Sequence, residues 1–538
     1  MSASAAAATG AGASAGARGS RAALLDVYRV EQRKLLAQLA TRVLVLVCAL
    51  GPFAFGGVLS LQSGVPADTL LGVWVHSSGY AISFVVLGFG GYLGFPVLAG
   101  VLAGDMFSSE DRYGTWKSVL TRSRSRGELF AGKCLALLAL TAGLLAIAAV
   151  SSLISGLVFT GDQPMVGLGG SALSSGQALW LTVVSWLLSL PPLLAFASIA
   201  VLLSVASRNG IVGVLGPVLV ALVMQLLALV GSGSWMHVLL VASAFADWHG
   251  LLGDPRFYAP TLIGSAISLL WIVACLGGAW LILRRRDFAG PPLSRRAGWV
   301  MPVRAVGACA VAIVLLGLAG GLGPVAITKA RLEASMTGTF EKLTLLQQRE
   351  LGHALPRDAR LNLHTRCYRH AGRSEGPGDD WSCTITVLRA QPGAEPFRST
   401  PVTYDMSVKS EGCYKAQAPP SFVGQQTMTD ARHRSVINPL FSIYGCFDTT
   451  GAEPKPEGAT RPRPTSARPT PQQRRAEQQS LHRSEREAGP RVMREIREAE
   501  REAKHTAEGP PEQASPPTAG EQPGASEEVR ASERHASK

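Results

Sequence analysis

The long apolar runs of this chain contain almost no ionisable residues. The chain has 538 residues, of which 47% are hydrophobic and 17% charged, and its mean hydropathy is +0.21. Ion-coupled transporters usually keep acidic, basic or histidine side chains inside their spans, where they form the ion pathway. This scarcity argues against an ion-driven pump. It favours a conduit that is driven from outside the chain, and it suggests an apolar or amphipathic substrate.

Signatures of enzyme active sites are also missing. Neither the H-E-x-x-H pattern of zinc proteases nor the G-x-S-x-G turn of serine hydrolases occurs. His76, His237 and His249 fall in loops between apolar runs and do not cluster with a carboxylate. Asp247 lies close to His249 in sequence, and we interpret this pair as a polar rim at the membrane surface. The sequence therefore predicts neither an enzyme nor a site for a cofactor or a metal ion.

A nucleotide site is excluded by its context. Gly127 to Lys133 reads G-x-x-x-x-G-K, but Cys134 follows where a Walker A motif has Ser or Thr. The segment before it is polar rather than strand-like, and an apolar run follows it. Any energy for transport must therefore come from another subunit. The net charge of +13 gathers at the ends of apolar runs, as membrane insertion requires, and no basic aromatic module predicts nucleic-acid binding.

What the chain does contain is a series of apolar runs long enough to cross a bilayer. We place seven spans, at 40–61, 78–104, 131–159, 177–206, 211–231, 260–283 and 305–327. The loops 62–77 and 160–176 contain no Lys or Arg, whereas the loop 284–304 contains six arginines. Because basic loops stay in the cytoplasm, we predict a multi-pass cell-membrane protein with a cytoplasmic N-terminus. Residues from 328 onward should be extracytoplasmic.

Three segments outside these spans have a character of their own. Residues 1–20 are rich in Ala, Gly and Ser and are predicted to be a disordered tail, since no signal-peptide core follows them. Residues 21–39 are predicted to form an amphipathic helix at the membrane interface. The stretch 232–259 is apolar but too short to cross, which indicates a re-entrant or interfacial element.

The segment 105–130, between the second and third spans, is basic and patterned. It contains Arg112, Lys117, Arg122, Arg124 and Arg126, and Lys133 follows it. Such a cationic excess close to two spans is typical of a cytoplasmic loop. Apolar residues also recur at helical spacing, at Tyr113, Trp116, Val119 and Leu120. This spacing predicts a short amphipathic helix that lies at the inner face of the membrane.

The order of motifs in this segment resembles the first intracellular loop of type-2 ABC exporter permeases. The motifs are Glu110-x-x-x-Gly114-Thr115, Leu120-Thr121, Ser125-Arg126 and Gly132-Lys133. Arg124 stands where that family usually has Pro. Glu31-x-x-Lys34-Leu35 resembles the interfacial helix of the same family, and the residues from Arg284 to Phe288 resemble its cytoplasmic end. The resemblance covers about 21–288.

The resemblance implies a function and a set of site residues. In that family the loop is a coupling helix that docks on a separate ATP-hydrolysing subunit. The implied partners are an ATP-hydrolysing ABC subunit, a second permease (an identical copy or a sister chain) and membrane lipids. The implied ATPase-coupling residues are Glu110, Gly114, Thr115, Trp116 and Arg126, and the implied residues of the interfacial helix are Glu31 and Lys34.

The polar part of the chain reads as an added domain followed by a tail. Within 328–450 a helix is predicted over 329–353, which could extend as a stalk. Short strands are predicted over 360–368, 381–390 and 402–409. Residues 451–538 are rich in Pro, Glu, Arg, Ser and Ala and are predicted to be disordered.

The cysteines of the added domain predict disulfides. They are Cys367, Cys383, Cys413 and Cys446. In an oxidising compartment they form two bridges, for which three connectivities are possible. We favour Cys367–Cys383 and Cys413–Cys446, because a hairpin would bring the first two together. A zinc site would need paired C-x2-C or neighbouring His ligands, and neither spacing occurs. The other four cysteines, Cys48, Cys134, Cys275 and Cys309, read as small apolar residues in or beside spans.

The predicted fold is mainly α: a polytopic membrane helix bundle. Six family-like spans form a permease domain (40–288), and a basic inner loop with a seventh span (289–327) follows. A small disulfide-stapled extracytoplasmic domain, α+β or all-β, precedes the disordered tail. The predicted function is the transmembrane permease subunit of an ATP-binding-cassette exporter. The alternative is a membrane-anchored extracytoplasmic binding or sensor protein, for which seven spans are excessive. An intramembrane enzyme is disfavoured, because no catalytic constellation is present.

Overall fold

The computed structural model describes residues 22–62, 71–116, 125–230, 239–286, 327–356, 359–370, 375–389 and 401–449, with isolated positions between 304 and 315. Several predictions lie outside these residues. They concern the tail 1–20, the basic segment 289–303, most of the seventh span, and the tail 451–538.

Six helical segments among the described residues are long and apolar enough to cross a membrane, and they lie where the first six spans are predicted. The chain is therefore a multi-pass membrane protein. In order, the helices are α1 (residues 22–37), α2 (Leu39–Leu61), α3 (Gly79–Phe89), α4 (Phe95–Ala103), α5 (Ser108–Arg112), α6 (Arg126–Phe159), α7 (Ser175–Leu188), α8 (Leu190–Ser207), α9 (Gly210–Val230) and α10 (Ala259–Arg285). A small hairpin of β1 (Met165–Val166) and β2 (Ala172–Leu173) joins α6 to α7.

Two of the predicted spans are interrupted. Between α3 and α4 the segment Gly90–Gly94 forms a π-helix, so the second span is not one regular helix. In the fourth span Ser189 separates α7 from α8, and Pro191 and Pro192 follow in the first turn of α8. Proline is tolerated there because the first backbone N–H groups of a helix have no partner within it.

Helix α8 forms the centre of the bundle. Its residues are buried continuously from Ala195 to Ser207, as expected of a helix that is apolar on all sides. It contacts α4, α6, α9 and α10. Its buried hydroxyls have partners: Ser198 Oγ donates to the Leu194 carbonyl at 2.8 Å, and Ser204 Oγ accepts from the Ser108 backbone N–H at 3.1 Å.

Helices α4 and α9 meet through glycines. A Cβ built on Gly104 would lie 2.4 Å from the carbonyl carbon of Gly213, so only a residue without a side chain fits at this crossing. Small residues are common where membrane helices approach each other this closely.

The region that begins at Ile327 is a small α+β domain, which we call the β-domain. Helix α11 (Lys329–Glu350) lies on an antiparallel sheet with the order β3-β4-β5-β6-β9. The strands of this sheet are β3 (Asn362–Arg369), β4 (Gly378–Arg389), β5 (Val402–Val408), β6 (Cys413–Gln417) and β9 (Ser442–Cys446). Between β6 and β9 the chain forms the short helix α12 (Pro420–Val423) and a separate hairpin of β7 (Thr427–Thr429) and β8 (Ser435–Ile437). The two disulfides join Cys367 to Cys383 and Cys413 to Cys446, the pairing that the sequence favours.

The predicted stalk is wrong. Helix α11 does not stand free but contributes Leu332, Met336 and Phe340 to the core of the β-domain, where Tyr404 and Tyr414 are also buried. A helix with an apolar stripe of this kind gains more by packing on a sheet than by extending into water.

The β-domain contacts the bundle at one end. Lys342 Nζ lies 2.9 Å from Asp254 Oδ2, and the Gly169 backbone N–H donates to the Tyr444 carbonyl at 3.3 Å. Gly169 follows the C-terminal end of α6, whereas the segment 105–116 lies before its N-terminal end. Since α6 has 34 residues, it is about 50 Å long. The β-domain and the segment 105–116 therefore lie at opposite ends of the bundle.

Candidate functional site

Lys133 is buried near the start of α6 between two carboxylates. Its Nζ lies 2.9 Å from Glu31 Oε1 and 3.1 Å from Glu110 Oε1. Only 1% of the Lys133 side chain is exposed, compared with 6% for Glu110 and 11% for Glu31. A buried charge is costly unless it is paired and hydrogen-bonded. The three residues therefore hold α1, α5 and α6 together.

Two further side chains complete the cluster. The Lys34 ammonium contacts the Glu110 carboxylate, and the Thr115 hydroxyl donates to the second oxygen of the same carboxylate. Burial acts to lower the pKa of Lys34, but its hydrogen bond to Glu110 and the charge of Glu31 raise that pKa above its ordinary value. We call Glu31, Lys34, Glu110, Thr115 and Lys133 the ionic cluster; its two carboxylates balance its two ammonium groups.

The position of α1 follows from its sequence. Val27, Glu31 and Leu35 are buried and lie four residues apart, so they share one face of the helix. That face meets α6 at Gly132, where a Cβ would lie 2.5 Å from Val27 Cγ1. A side chain at this position would separate the helices. Gly132 thus allows the close approach that brings Glu31 to Lys133.

A tight turn brings Thr115 back to Glu110. Helix α5 ends at Arg112, and Gly114 has φ +65°, a left-handed conformation that glycine adopts readily. The Thr115 backbone N–H then donates to the Glu110 carbonyl at 3.1 Å. Of the short amphipathic helix predicted at Tyr113, Trp116, Val119 and Leu120, the described part shows Tyr113 in the turn after α5 and Trp116 in a helical conformation. Residues 117–124 lie outside the described residues.

Trp116 anchors the same loop through a chain of aromatic rings. It is 5% exposed, and its ring centroid lies 6.4 Å from that of Phe107. Phe107 lies 5.6 Å from Phe130 on α6, which in turn lies 5.6 Å from Trp280 on α10. The loop is therefore packed against two membrane helices as well as joined to them by charge.

A second ion pair joins the loop to the end of α10. The Arg286 guanidinium contacts the Asp111 carboxylate, and only 6% and 13% of their side chains are exposed. Arg126 Nη1 donates to the carbonyl oxygens of Arg284 and Arg286, both at 3.2 Å. A cation suits the C-terminal end of a helix, where backbone carbonyls lack partners. We call Asp111, Arg126 and Arg286 the α10 anchor.

The structure thus places the sequence-predicted residues in different roles. Those that converge in the ionic cluster are Glu31, Lys34, Glu110 and Thr115. Gly114 supplies the turn and Trp116 the aromatic contact. Arg126 lies apart from the cluster, in the α10 anchor. These placements leave the ATPase-coupling roles as predictions.

Three residues of the site were not among the predicted site residues, although Lys133 belongs to the Gly132-Lys133 motif and Arg286 to the segment from Arg284 to Phe288. Lys133 carries a signal in the sequence, since it is a lone charge at the start of a long apolar run, where a charge needs a partner. Asp111 and Arg286 carry no comparable signal, because they lie 175 positions apart in the chain. Their contact depends on the packing of α5 against the end of α10.

A serine, a histidine and an aspartate also meet in the β-domain. His370 Nε2 lies 2.7 Å from Ser382 Oγ, which donates to Asp405 Oδ1 at 3.0 Å. In a hydrolytic triad the histidine stands between the serine and the carboxylate. Here the serine is in the middle and is only 1% exposed, so this group is a structural hydrogen-bond chain. Among the residues described, no group of three His, Cys, Asp or Glu side chains could hold a metal ion.

The fold and the site define a multi-pass membrane protein in which buried ion pairs join one inter-helix loop to three helices. Residues 60–289 match a family whose description is "Protein of unknown function (DUF2705)". The match extends from the end of α2 to just beyond α10, and it does not include the β-domain. No curated protein matches the chain.

Proposed function

We propose that this chain is the transmembrane permease subunit of an ATP-binding-cassette exporter. A separate ATP-hydrolysing subunit would bind at the loop 105–130 and drive an apolar or amphipathic substrate across the cell membrane. The proposal rests on the resemblance over about 21–288 to type-2 exporter permeases, and on where the residues of that resemblance lie in the fold.

The observation that carries the proposal is the convergence of separate motif residues on one buried cluster. Glu110 and Thr115 come from the loop motif, and Glu31 and Lys34 come from the interfacial-helix motif. They meet around Lys133, which ends the Gly132-Lys133 motif. A loop that receives a force from another subunit needs rigid, short-range links to the helices that must move.

The contacts define how such a force would travel. Motion of α5 would reach α1 through Glu110 and Lys34, and α6 through Glu110 and Lys133. It would reach α10 through Asp111 and Arg286. Buried pairs of this kind resist separation, because each partner would be left as an uncompensated charge. The loop and the three helices would therefore move as one body.

The path of the chain supports a seventh crossing. Arg286 contacts the loop at one end of the bundle, whereas Ile327 begins the β-domain at the other end. The chain must travel between these ends within residues 287–326. Val306 and Ala310, inside the predicted span 305–327, lie against the bundle core. With the basic loops in the cytoplasm, the N-terminus would be cytoplasmic and the β-domain and tail extracytoplasmic.

The first test is co-purification. Affinity-purified protein in mild detergent should carry an ATP-hydrolysing subunit, and the complex should show vanadate-sensitive ATPase activity. Protein that purifies alone after gentle extraction and after chemical crosslinking in cells would contradict the proposal. It would favour the membrane-anchored binding or sensor protein instead.

The second test uses the exposed face of the loop. Tyr113 is 72% exposed, and the Arg112 guanidinium carbon lies 5.0 Å above its ring centroid. Tyr113→Ala should reduce recovery of the ATPase without affecting membrane insertion. Tyr258→Ala is the matched control. Tyr258 is 55% exposed, but it lies just before α10 and close in sequence to Asp254, which contacts the β-domain at the opposite end of the bundle. Equal recovery from both variants would remove this loop as the contact.

A further inference from the structure

A cavity of about 590 Å³ lies between the bundle and the β-domain. It is bounded by α3, by the 3₁₀ turns Ser243–Phe245 and Asp247–Leu252, and by residues of β4 and of the turn between β5 and β6. This volume lies within the range of pockets that hold small molecules.

The bundle side of the cavity is mainly apolar, with space beside α3. Its wall includes Phe84 and Phe89 of α3, with Phe245 and Trp248 from the 3₁₀ turns. The rings of Phe84 and Trp248 stack at 5.2 Å, which fixes this wall. Gly88 also lines it, and a Cβ built there would meet no atom within 4 Å. The space beside Gly88 is thus free to receive an apolar chain.

The β-domain side carries charges of both signs. The charged side chains among the described lining residues are Asp379, Lys409 and Glu411. His249 lines the cavity as well, but burial and the charge of Lys409 lower its pKa to about 3, so it is neutral at pH 7. A purely anionic group would face two carboxylates, and a purely cationic one would face the lysine. A group with both charges satisfies both signs.

We propose that this cavity binds an amphiphile with an apolar chain and a zwitterionic head group. The chain would lie along α3 beside Gly88, and the head would lie against Lys409 and Glu411. A molecule that is apolar at one end and carries one charge of each sign at the other matches a site at the junction of a membrane bundle and a polar domain. That the cavity binds an amphiphile does not depend on the proposed function. That the cavity receives the exported molecule does rest on it.

The second span has an irregular, π-helical segment beside the cavity. The π-helical segment Gly90–Gly94 borders it through Gly91 and Tyr92, and the Gln225 side-chain amide donates to the Tyr92 carbonyl. Short π-helical segments inside α-helices are frequent at functional sites. The π-helical segment thus borders the cavity next to Gly88, where the chain of the amphiphile would lie.

Binding is tested on the purified full-length protein in amphipol, without any ATPase. The probe is palmitoyl lysophosphatidylethanolamine, followed by native mass spectrometry and calorimetry. Lysophosphatidylglycerol and hexadecyltrimethylammonium have the same chain length with a single charge. We expect one saturable site that prefers the zwitterion by about tenfold or more.

Gly88→Leu should place a side chain in the space beside α3 where the apolar chain would lie and weaken binding by about tenfold or more. Gly143→Leu is the matched control, because a Cβ at Gly143 also meets no atom within 4 Å but Gly143 does not line the cavity. Glu411→Lys should shift the preference towards lysophosphatidylglycerol. Equal affinity in wild type and Gly88→Leu, or no head-group preference in the wild type, would overturn the proposal.

A second arm separates two sources of the amphiphile. A lipid that co-purifies with wild type and Gly143→Leu but not with Gly88→Leu identifies a membrane lipid. A cavity that is empty on purification and binds the added probe identifies a molecule from outside the bilayer. Either result supports the site.

The two proposals can fail separately. Binding of the probe by protein that carries no ATPase would refute the exporter proposal alone, whereas an ATPase on protein that does not bind the probe would refute this site alone.

Discussion

Lys133 is almost fully buried, and its ammonium group lies between Glu31 and Glu110. Replacing such a residue removes one charge and leaves two carboxylates with only Lys34 beside them. Removing one partner of a buried ion pair costs about 3–5 kcal/mol, because the remaining charge has lost its compensation. The cost is a property of the site and does not depend on any transport function.

Lys133→Met should therefore lower the free energy of unfolding by about 3–5 kcal/mol. Lys34→Met is the control: the Lys34 side chain is 44% exposed, so water already screens its pair with the buried Glu110 and its loss should cost less than that of Lys133. Urea unfolding in detergent, followed by tryptophan fluorescence, measures both. Adding Glu110→Gln to Lys133→Met should recover part of the loss; a further loss of similar size would contradict the pairing.

The α10 anchor offers a test of coupling at the same scale. Asp111→Arg and Arg286→Asp should each reduce substrate-dependent ATP hydrolysis in the reconstituted complex, because like charges would then face each other across the buried contact. The double variant restores opposite charges and should recover activity, as expected for residues in direct contact. Losses that simply add in the double variant would show that Asp111 and Arg286 do not act as a pair.

Sequence patterns identified several residues of the site, but they did not predict that these residues contact each other. Glu110 and Thr115 lie in one motif and Glu31 in another, and each is visible as a short local pattern. Their convergence depends on Gly132, which allows α1 to approach α6, and a single sequence does not show which helices approach each other. Charge reversal at Glu110 illustrates the difference. From the sequence alone we expect Glu110→Lys to uncouple hydrolysis from export and leave membrane insertion intact, but the burial of Glu110 beside two lysines adds a cost in stability.

At the scale of elements, both disulfides join neighbouring strands of the β-domain. Cys367 and Cys383 are opposite each other on β3 and β4, and Cys413 and Cys446 on β6 and β9. The bridged residues are 16 and 33 positions apart. In the chain-entropy account these separations correspond to about 3 and about 4 kcal/mol of stabilisation.

Removing the bridge of Cys413 and Cys446 should therefore destabilise the β-domain slightly more than removing that of Cys367 and Cys383. Paired Cys→Ala variants of the full chain, compared by limited proteolysis over a urea series, measure this order. The wild type digested without reductant must show both bridges by mass mapping. Free thiols at these four positions would refute the disulfides and weaken the case for an oxidising compartment.

Hydropathy predicted the membrane helices better than their interruptions. The π-helical segment Gly90–Gly94 lies in an unbroken apolar run, so composition does not mark it. Helix α6 begins at Arg126 rather than at 131, because Ser125 and Glu128 form a capping box outside the apolar run. Strand β9 was missed because all five of its residues are buried, which removes the alternation that identifies a half-buried strand.

For the whole molecule, the question is on which side of the membrane each end of the chain lies. The ionic cluster and the β-domain occupy opposite ends of the bundle. If the basic loops are cytoplasmic, protease added to intact, wall-stripped cells should cleave within 451–538. An epitope tag before residue 22 should stay protected in the same cells. Cleavage of the tail only after lysis would place the β-domain in the cytoplasm and reverse the proposed topology.

The division of the molecule into two ends also predicts what each can do alone. The contacts proposed for the ATPase lie around Tyr113, at the end of α6 opposite to the β-domain. The cavity needs both parts, since Phe84 belongs to the bundle and Lys409 to the β-domain. Deleting residues 328–538 should therefore leave ATPase association intact but abolish binding of the lysophospholipid and alter export.

The deletion must be separated from a failure to fold. The truncated chain keeps α1 to α10, so it should still insert and give a single peak on size exclusion in detergent. Lys342→Ala serves as the milder variant, because it removes the ion pair with Asp254 while the β-domain remains attached. It should weaken binding of the amphiphile less than the deletion does and leave ATPase recovery unchanged. Loss of the ATPase from a truncated chain that inserts normally would mean that the β-domain acts on the loop 105–130 across the length of the bundle. The two ends would then not be independent.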